Sequence, residues 1–164
     1  MADKKQNLSA YDPQAVPDAG HMTFGIVVAE WNPDVTGALL QGALRSLKQH
    51  GATEDHIHVH YVPGSYELTM GAALVLDAIE PMDAVICLGC VIQGETRHFE
   101  FICQAVSQGL NHVALKYQRP VIFGVLTTDT MQQALDRSGG KHGNKGDEAA
   151  ITAIKMAALR KNIN

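Results

Sequence analysis

The sequence is poor in cysteine, contains no long apolar run, and gathers its basic residues into no single patch. Three scattered cysteines cannot build a disulfide framework, which suits a reducing cytosol. No stretch approaches the ~20 apolar residues that cross a bilayer, and no hydrophobic region follows the lysines at the start. A soluble, cytoplasmic protein is expected. A formal charge of -4 without a basic patch argues against a nucleic-acid partner, so an anionic ligand would have to be held locally. Internal repeats, low-complexity segments and a GxGxxG following a strand are all missing.

Two motifs are present only in outline. Residues 89–96 have the glycine spacing of a phosphate-binding P-loop, but Glu95 stands where the lysine belongs and would repel a triphosphate. Cys87 and Cys90 form a CxxC. Within a strand, residues three apart point to opposite faces, so the pair can share neither a metal nor a disulfide. Both read as small buried thiols, as does Cys103.

What the sequence does contain is strand and helix in alternation. Its 164 residues, 46% apolar and 18% charged, suit one globular domain. Residues 1–22 are polar, carry Pro13 and Pro17 and show no sustained periodicity. They read as a flexible N-terminal arm, with an α/β domain over residues 23–164. Phe24-Gly25-Ile26-Val27-Val28-Ala29 reads as a buried strand. A helix capped by Asp34 and closed by Gly51 follows, with Leu39, Leu40, Ala43, Leu44 and Leu47 on one face. In residues 57–62, Ile57, Val59 and Tyr61 alternate with His58 and His60, next to His56. That reads as a half-solvated strand, and no metal site is expected.

The turn Pro63-Gly64-Ser65 opens a helix through Tyr66-Glu67-Leu68 to Ile79, and residues 84–88 form a third buried strand. Gly89-Cys90-Val91-Ile92-Gln93-Gly94-Glu95-Thr96-Arg97-His98 then leads into a helix over residues 99–116. Phe101, Ile102, Ala105, Val106 and Val113 are expected on its buried side. Pro120 opens the fourth strand, over residues 121–126. A short helix capped by Thr128 or Asp129 ends near Arg137, residues 138–146 are glycine-rich and basic, and a last helix reaches about Leu159.

This order predicts a three-layer α/β/α sandwich around a four-stranded parallel sheet, flavodoxin-like in architecture. The carboxyl ends of the strands then share one rim, where such sheets keep their ligands. Trp31, Ser65, Tyr66, Glu67, the segment 91–98 and Thr127-Thr128 all fall there. Unpaired N–H groups at the start of the third helix favour an anion, and His98 is placed roughly one turn in, able to exchange protons. An aromatic, a carboxylate and an anion nest with a histidine suit a flat heterocycle, a polyol and a phosphate. With no metal or cofactor motif, the chemistry narrows to proton transfer, condensation or elimination. Arg137, Lys141 and Lys145 lie farther along, and nothing local brings them to the rim.

Four segments, in order, resemble the lumazine synthase family. They are Val62-Pro63-Gly64-Ser65-Tyr66-Glu67, the stretch Leu88 through Glu100, Pro120 through Thr128, and Gly143-Asn144-Lys145-Gly146. The resemblance implies cofactor-free condensation of 5-amino-6-(D-ribitylamino)uracil with 3,4-dihydroxy-2-butanone 4-phosphate, giving 6,7-dimethyl-8-ribityllumazine, the penultimate step of riboflavin biosynthesis. It makes His98 the general acid and base and Trp31, in place of the commoner phenylalanine, the aromatic that stacks on the pyrimidine. Ser65, Tyr66 and Glu67 become the ribityl-binding turn, and Cys90, Val91 and Ile92 the backbone strip along the heterocycle. Glu95 (through its main chain), Thr96 and Arg137 are assigned to phosphate, with Glu148 holding the arginine. Phe123 and Lys145 are residues a neighbouring copy contributes. The resemblance implies a pentamer, and the short turn over residues 139–146 favours an icosahedral shell of pentamers, each arm joining a neighbour's sheet. Riboflavin synthase is a further candidate partner. The alternatives are a flavin- or lumazine-binding protein and a shell-forming protein, both without catalysis.

Overall fold

The computed structural model of the chain describes residues 9–163. Four strands, β1 (Phe24–Ala29), β2 (Ile57–Val62), β3 (Ala84–Ile92) and β4 (Val121–Thr128), form a fully parallel sheet in the order β2-β1-β3-β4. The crossovers are α1 (Pro33–Gln49), α2 (Leu68–Ala78) and α3 (His98–Tyr117). After β4 come α4 (Met131–Leu135), an antiparallel hairpin of β5 (Ser138–Gly140) and β6 (Gly143–Asn144), and α5 (Lys145–Ile163). The architecture is the three-layer flavodoxin-like sandwich expected from the alternation of elements. No helix among the described residues is long and apolar enough to cross a membrane.

Alternation along the two central strands divides the core. Phe24, Ile26 and Val28 of β1, with Ala84, Ile86, Leu88 and Cys90 of β3, pack under α1 and α5. Val27, Val85 and Cys87 pack on the other face under α2 and α3. Because both faces are covered, β1 is buried at every position, which is why it reads as a continuous apolar run. Phe24, Ile26, Leu39, Leu47 and Ile86 are completely enclosed, each contributing about 1.5–3 kcal/mol. Cys87 and Cys90 lie on opposite faces, as the CxxC reading required. Burial pushes the Cys90 thiol up to about 11 and the Cys87 thiol higher still; Cys103, only partly covered, is raised for the same reason.

Several element ends differ from the sequence reading. Asn32, not Asp34, caps α1; it sits in the left-handed region at φ 59, and Pro33 supplies the first helical residue. His98 is the first residue of α3 instead of a turn inside it. Phe101 is 66% exposed, and Leu110 joins Val106 and Val113 on the buried stripe in its place. Thr130 caps α4 by accepting from the Gln133 amide. The glycine-rich segment contains the β5-β6 hairpin, which is too short to leave a period-2 pattern.

The start of α5 is pressed against α1. Asn144 caps α5 by accepting from the Gly146 amide at 2.8 Å, while its Nδ2 donates to the Ala38 carbonyl at 3.0 Å. Gly42 leaves room for that side chain, since a Cβ there would come within 2.6 Å of Asn144 Oδ1. Gly146 lies directly on the Leu39 carbonyl, and a Cβ at 146 would overlap its oxygen. An Arg45–Asp147 pair at 2.9 Å spans the same helices, but Arg45 is exposed and such pairs contribute at most about 1 kcal/mol. The close backbone approach therefore dominates the contact.

The chain preceding β1 packs on its own domain. Tyr11 Oη meets His50 Nε2 at 3.2 Å, and Ala19 and Met22 are buried in the core beneath α1. Residues 1–8 of the expected arm lie outside the described residues.

Two outcomes follow from this packing. Gly146→Ala should lower stability by about 3 kcal/mol, because Leu39 backbone cannot yield as a side chain would; urea denaturation showing wild-type stability would mean that α5 leaves α1 freely. Of the three thiols, Cys87 and Cys90 should stay unreactive toward a neutral-pH disulfide reagent in the native protein and react once urea unfolds it. Fast native labelling of either would contradict its placement.

Candidate active site

The chain runs outward from β1 to β2, then returns across β1 to β3, so the strand order reverses between β1 and β3. The crevice above such a reversal is where open parallel sheets bind ligands. Here the strands also differ in length. Pairing of β1 with β3 ends at Val28–Leu88, whereas β3 stays paired with β4 as far as Ile92–Thr128. On its β1 side, the segment from Gly89 to Ile92 therefore extends past its neighbour. Asn32, held in its left-handed turn, donates Nδ2 to the Cys90 carbonyl at 3.2 Å and ties the loop after β1 to this free edge.

Trp31 follows β1 on the same rim, its amide donating to the Pro63 carbonyl at 3.2 Å. Its ring rests on Gly64, where a Cβ would come within 2.6 Å of Cε3 and Cζ3, and 66% of the residue stays exposed. Beside it, Ser65–Glu67 form a 3-10 turn leading into α2. Glu67 Oε2 accepts from the Gly64 amide at 3.0 Å, which orients the carboxylate and leaves its second oxygen available to a ligand. Tyr66 is exposed. Ser65 is different: its hydroxyl is buried, has no partner among the described residues, and faces Gly89, where a Cβ would lie 2.5 Å away. Only the main chain of Ser65 can meet a ligand on the rim.

Beyond Ile92 the chain turns into α3. The Gln93 amide makes the last contact with β4, donating to Thr128 at 2.8 Å. Among the described residues, the amides of Gly94, Glu95, Thr96 and Arg97 have no acceptor. Gln93 Nε2 donates to the Gly94 carbonyl at 2.8 Å, and Thr96 Oγ1 accepts from the His98 amide at 3.3 Å. The loop thus spends its carbonyls on Gln93 and keeps its N–H groups for something else, at the positive end of a 20-residue helix. His98 begins that helix with its imidazole exposed.

The remaining residues gather elsewhere. Phe123, Arg137 and Lys145 line a cleft of about 400 Å3 along the outer edge of β4, together with Thr127, His142 and Glu148. Trp31, Glu67, Val91 and His98 do not line it. Arg137 Nη1 donates to the Gln133 carbonyl at 3.0 Å, which braces it within the cleft. Glu148 does not hold that arginine: Oε2 pairs with Lys145 Nζ at 2.6 Å and Oε1 lies 2.9 Å from the Ser9 hydroxyl. Lys141 instead pairs with Asp136 at 3.0 Å; Gln132 and then Lys141 hold the Asp136 carboxyl below its ordinary range. One chain therefore carries two separate features: a rim with an exposed aromatic ring, an open peptide edge and acceptor-free amides, and a cationic cleft along β4.

Two residues of these regions, Asn32 and His142, carry little sign of their place in the sequence. Asn32 left a signal in the Asn-Pro pair before the helix, though not of its reach to Cys90. His142 shows its place only once the hairpin folds it beside Arg137.

A family model described as 6,7-dimethyl-8-ribityllumazine synthase matches residues 21–161. Among proteins bearing that name, the one from Parabacteroides distasonis is 56% identical to this chain over 95% of its length and 97% of the relative's. The one from Cytophaga hutchinsonii is 57% identical, covering 96% and 98%, and that from Porphyromonas gingivalis 51% identical, covering 98% and 99%. With the parallel sheet, the open edge of β3 and the free amides before α3 already in place, this agreement along nearly the whole chain means that it belongs to the 6,7-dimethyl-8-ribityllumazine synthase family.

Proposed function

We propose that the chain condenses 5-amino-6-(D-ribitylamino)uracil with 3,4-dihydroxy-2-butanone 4-phosphate to give 6,7-dimethyl-8-ribityllumazine in riboflavin biosynthesis. The observation that carries this reading is the adjacency, on one rim, of an exposed ring, an unpaired peptide edge and four acceptor-free amides beside a histidine. The pyrimidine stacks on Trp31, and its polar edge meets the main chain of Cys90, Val91 and Ile92, where a planar donor–acceptor pattern fits a strand. The ribityl chain lies along the turn Ser65–Glu67, its hydroxyls donating to the Glu67 oxygen that the Gly64 amide leaves open. The phosphate occupies the amides before α3, including those of Glu95 and Thr96.

Proton bookkeeping assigns the rest. The pyrimidine amine attacks the ketone, and water leaves as the imine forms. Loss of a proton from carbon then expels inorganic phosphate, and attack of the second amine closes the ring with loss of another water. Each stage moves a proton within reach of the rim, which is the role of His98.

Arg137, Phe123 and Lys145 belong to the same reaction but to a different copy. Their cleft is separate from the rim within one chain, so a neighbouring chain that brings its cleft to this rim would supply the cations facing the phosphate. Exposed Tyr66, Met70, Leu74 and Phe101 support association, since a lone domain gains nothing by leaving large apolar side chains in water. We assign a pentamer as the active unit and a shell of pentamers as the full assembly, in the cytoplasm, with riboflavin synthase as a candidate partner that consumes the product.

Purified protein mixed with both substrates should raise lumazine absorbance well above the spontaneous background. His98→Ala should lower kcat by about 10^2 to 10^4 with little change in KM; an unchanged kcat would remove the imidazole from the mechanism. Arg137→Ala should raise KM for the phosphate substrate about 10- to 100-fold, in line with loss of a charge-assisted bond. Were only the pyrimidine substrate weakened, the phosphate would be misplaced. Sedimentation velocity should give a pentamer or a multiple of five chains, and a monomer with full activity would refute the shared site.

A further inference from the structure

The hydroxyl of Ser9 sits where the chain preceding β1 meets the start of α5. It accepts from the Asn144 amide at 2.8 Å. Glu148 Oε1 at 2.9 Å and the Asn144 carbonyl at 3.1 Å both lie within reach of its single proton. The other oxygen of Glu148 holds Lys145 Nζ at 2.6 Å. Lys145 and Glu148 line the cationic cleft with Arg137 and His142. Hydroxyl, carboxylate and ammonium thus form a relay across 139 positions of sequence, ending at the cleft wall.

Such a relay acts on position. A lysine head on its flexible stem is loosely placed, and the Lys145–Glu148 pair keeps 31% and 23% of its side chains exposed, so the carboxylate by itself restrains the ammonium weakly. A second bond on the far oxygen removes rotamers from the carboxylate and, with them, from the lysine. Asn144, which caps α5 and whose amide Ser9 accepts, is buried, so the same hydroxyl also anchors the helix turn that carries both residues.

We propose that Ser9 is a positioning residue for the candidate active site, fixing the Lys145 ammonium through Glu148 and so coupling the docked start of the chain to the cleft. The inference rests on the proposed role of that cleft in holding the phosphate substrate. Its test uses the full chain and double-mutant cycles. Ser9→Ala should raise KM for the phosphate substrate about two- to fivefold with kcat nearly unchanged, and Ser9→Thr, which keeps a hydroxyl, should restore it. In a Lys145→Met background, Ser9→Ala should change KM no further. Equal fold losses in both backgrounds, or failure of threonine to rescue, would reduce Ser9 to a structural contact and overturn the proposal. A melting cycle of Ser9→Ala with Glu148→Ala reads the contact without any turnover: the double variant should lose less than the sum of the two single shifts, and strict additivity would overturn it too. If the wild-type protein formed no lumazine, the functional reading alone would fail, and the melting cycle would still decide the contact.

Discussion

The approach of α5 to α1 at Gly146 is the constraint on which the second half of the site depends. A helix can lie this close to another backbone only where a side chain is missing, and the Leu39 carbonyl occupies the space a Cβ would need. Asn144 then has its side chain drawn into α1, with Gly42 making the room and Ala38 accepting its amide. Lys145 follows immediately and Glu148 one turn later. Their positions in the cleft are consequences of a packing contact with no chemistry of its own. Gly143-Asn144-Lys145-Gly146 thus joins one residue that faces the cleft to neighbours whose task is to fit the helix against α1.

The first half of the site rests on strand length. In a parallel sheet a central strand bonds both neighbours, alternate residues to opposite sides, and such a strand offers a ligand nothing. Because β1 stops at Ala29 while β3 runs on to Ile92, the last peptide groups of β3 are bonded on one side only. The protein fills part of that gap itself, through Asn32 on Cys90, and leaves the rest open. The same step gives β3 its mixed character: it is buried as far as Cys90 and half-open at Val91 and Ile92.

These causes explain what could be read from residues alone. The central strands announced themselves because double-sided burial makes every position apolar, and the sandwich follows from strand and helix alternating. The third crossover reads as a candidate anion site because a glycine-containing loop between a buried strand and a long helix has few alternatives, and the amides of residues 94–97 there have no acceptor among the described residues. Short elements were less readable. The β5-β6 hairpin rests on a register shift and glycines at positive φ, not on periodicity. Phe101 was assigned to the core because an apolar residue at helical spacing ordinarily lies there; within one chain it faces outward. The partnership of Glu148 with Lys145 in place of Arg137 was out of reach, since both cations are plausible from sequence and only the helix start decides between them.

Two residues on the loop before α3 look unsuited to the phosphate proposed to bind there, and magnitudes decide how much they matter. Glu95 adds a negative charge, but its side chain is exposed, and an exposed unit charge about 8 Å away in water costs about 0.5 kcal/mol before salt screens it. The helix start alone offsets about that much, at roughly 0.3–1 kcal/mol. Gln93 brings no charge, yet its amide donates to the Gly94 carbonyl and reaches toward that of Thr96 at 3.5 Å. With those carbonyls drawn to Gln93, the amides of residues 94–97 are left without an acceptor among the described residues. A neutral side chain here orders dipoles where a cation would add a field, and ordered dipoles next to the ligand keep their strength in salt that would screen a more distant charge.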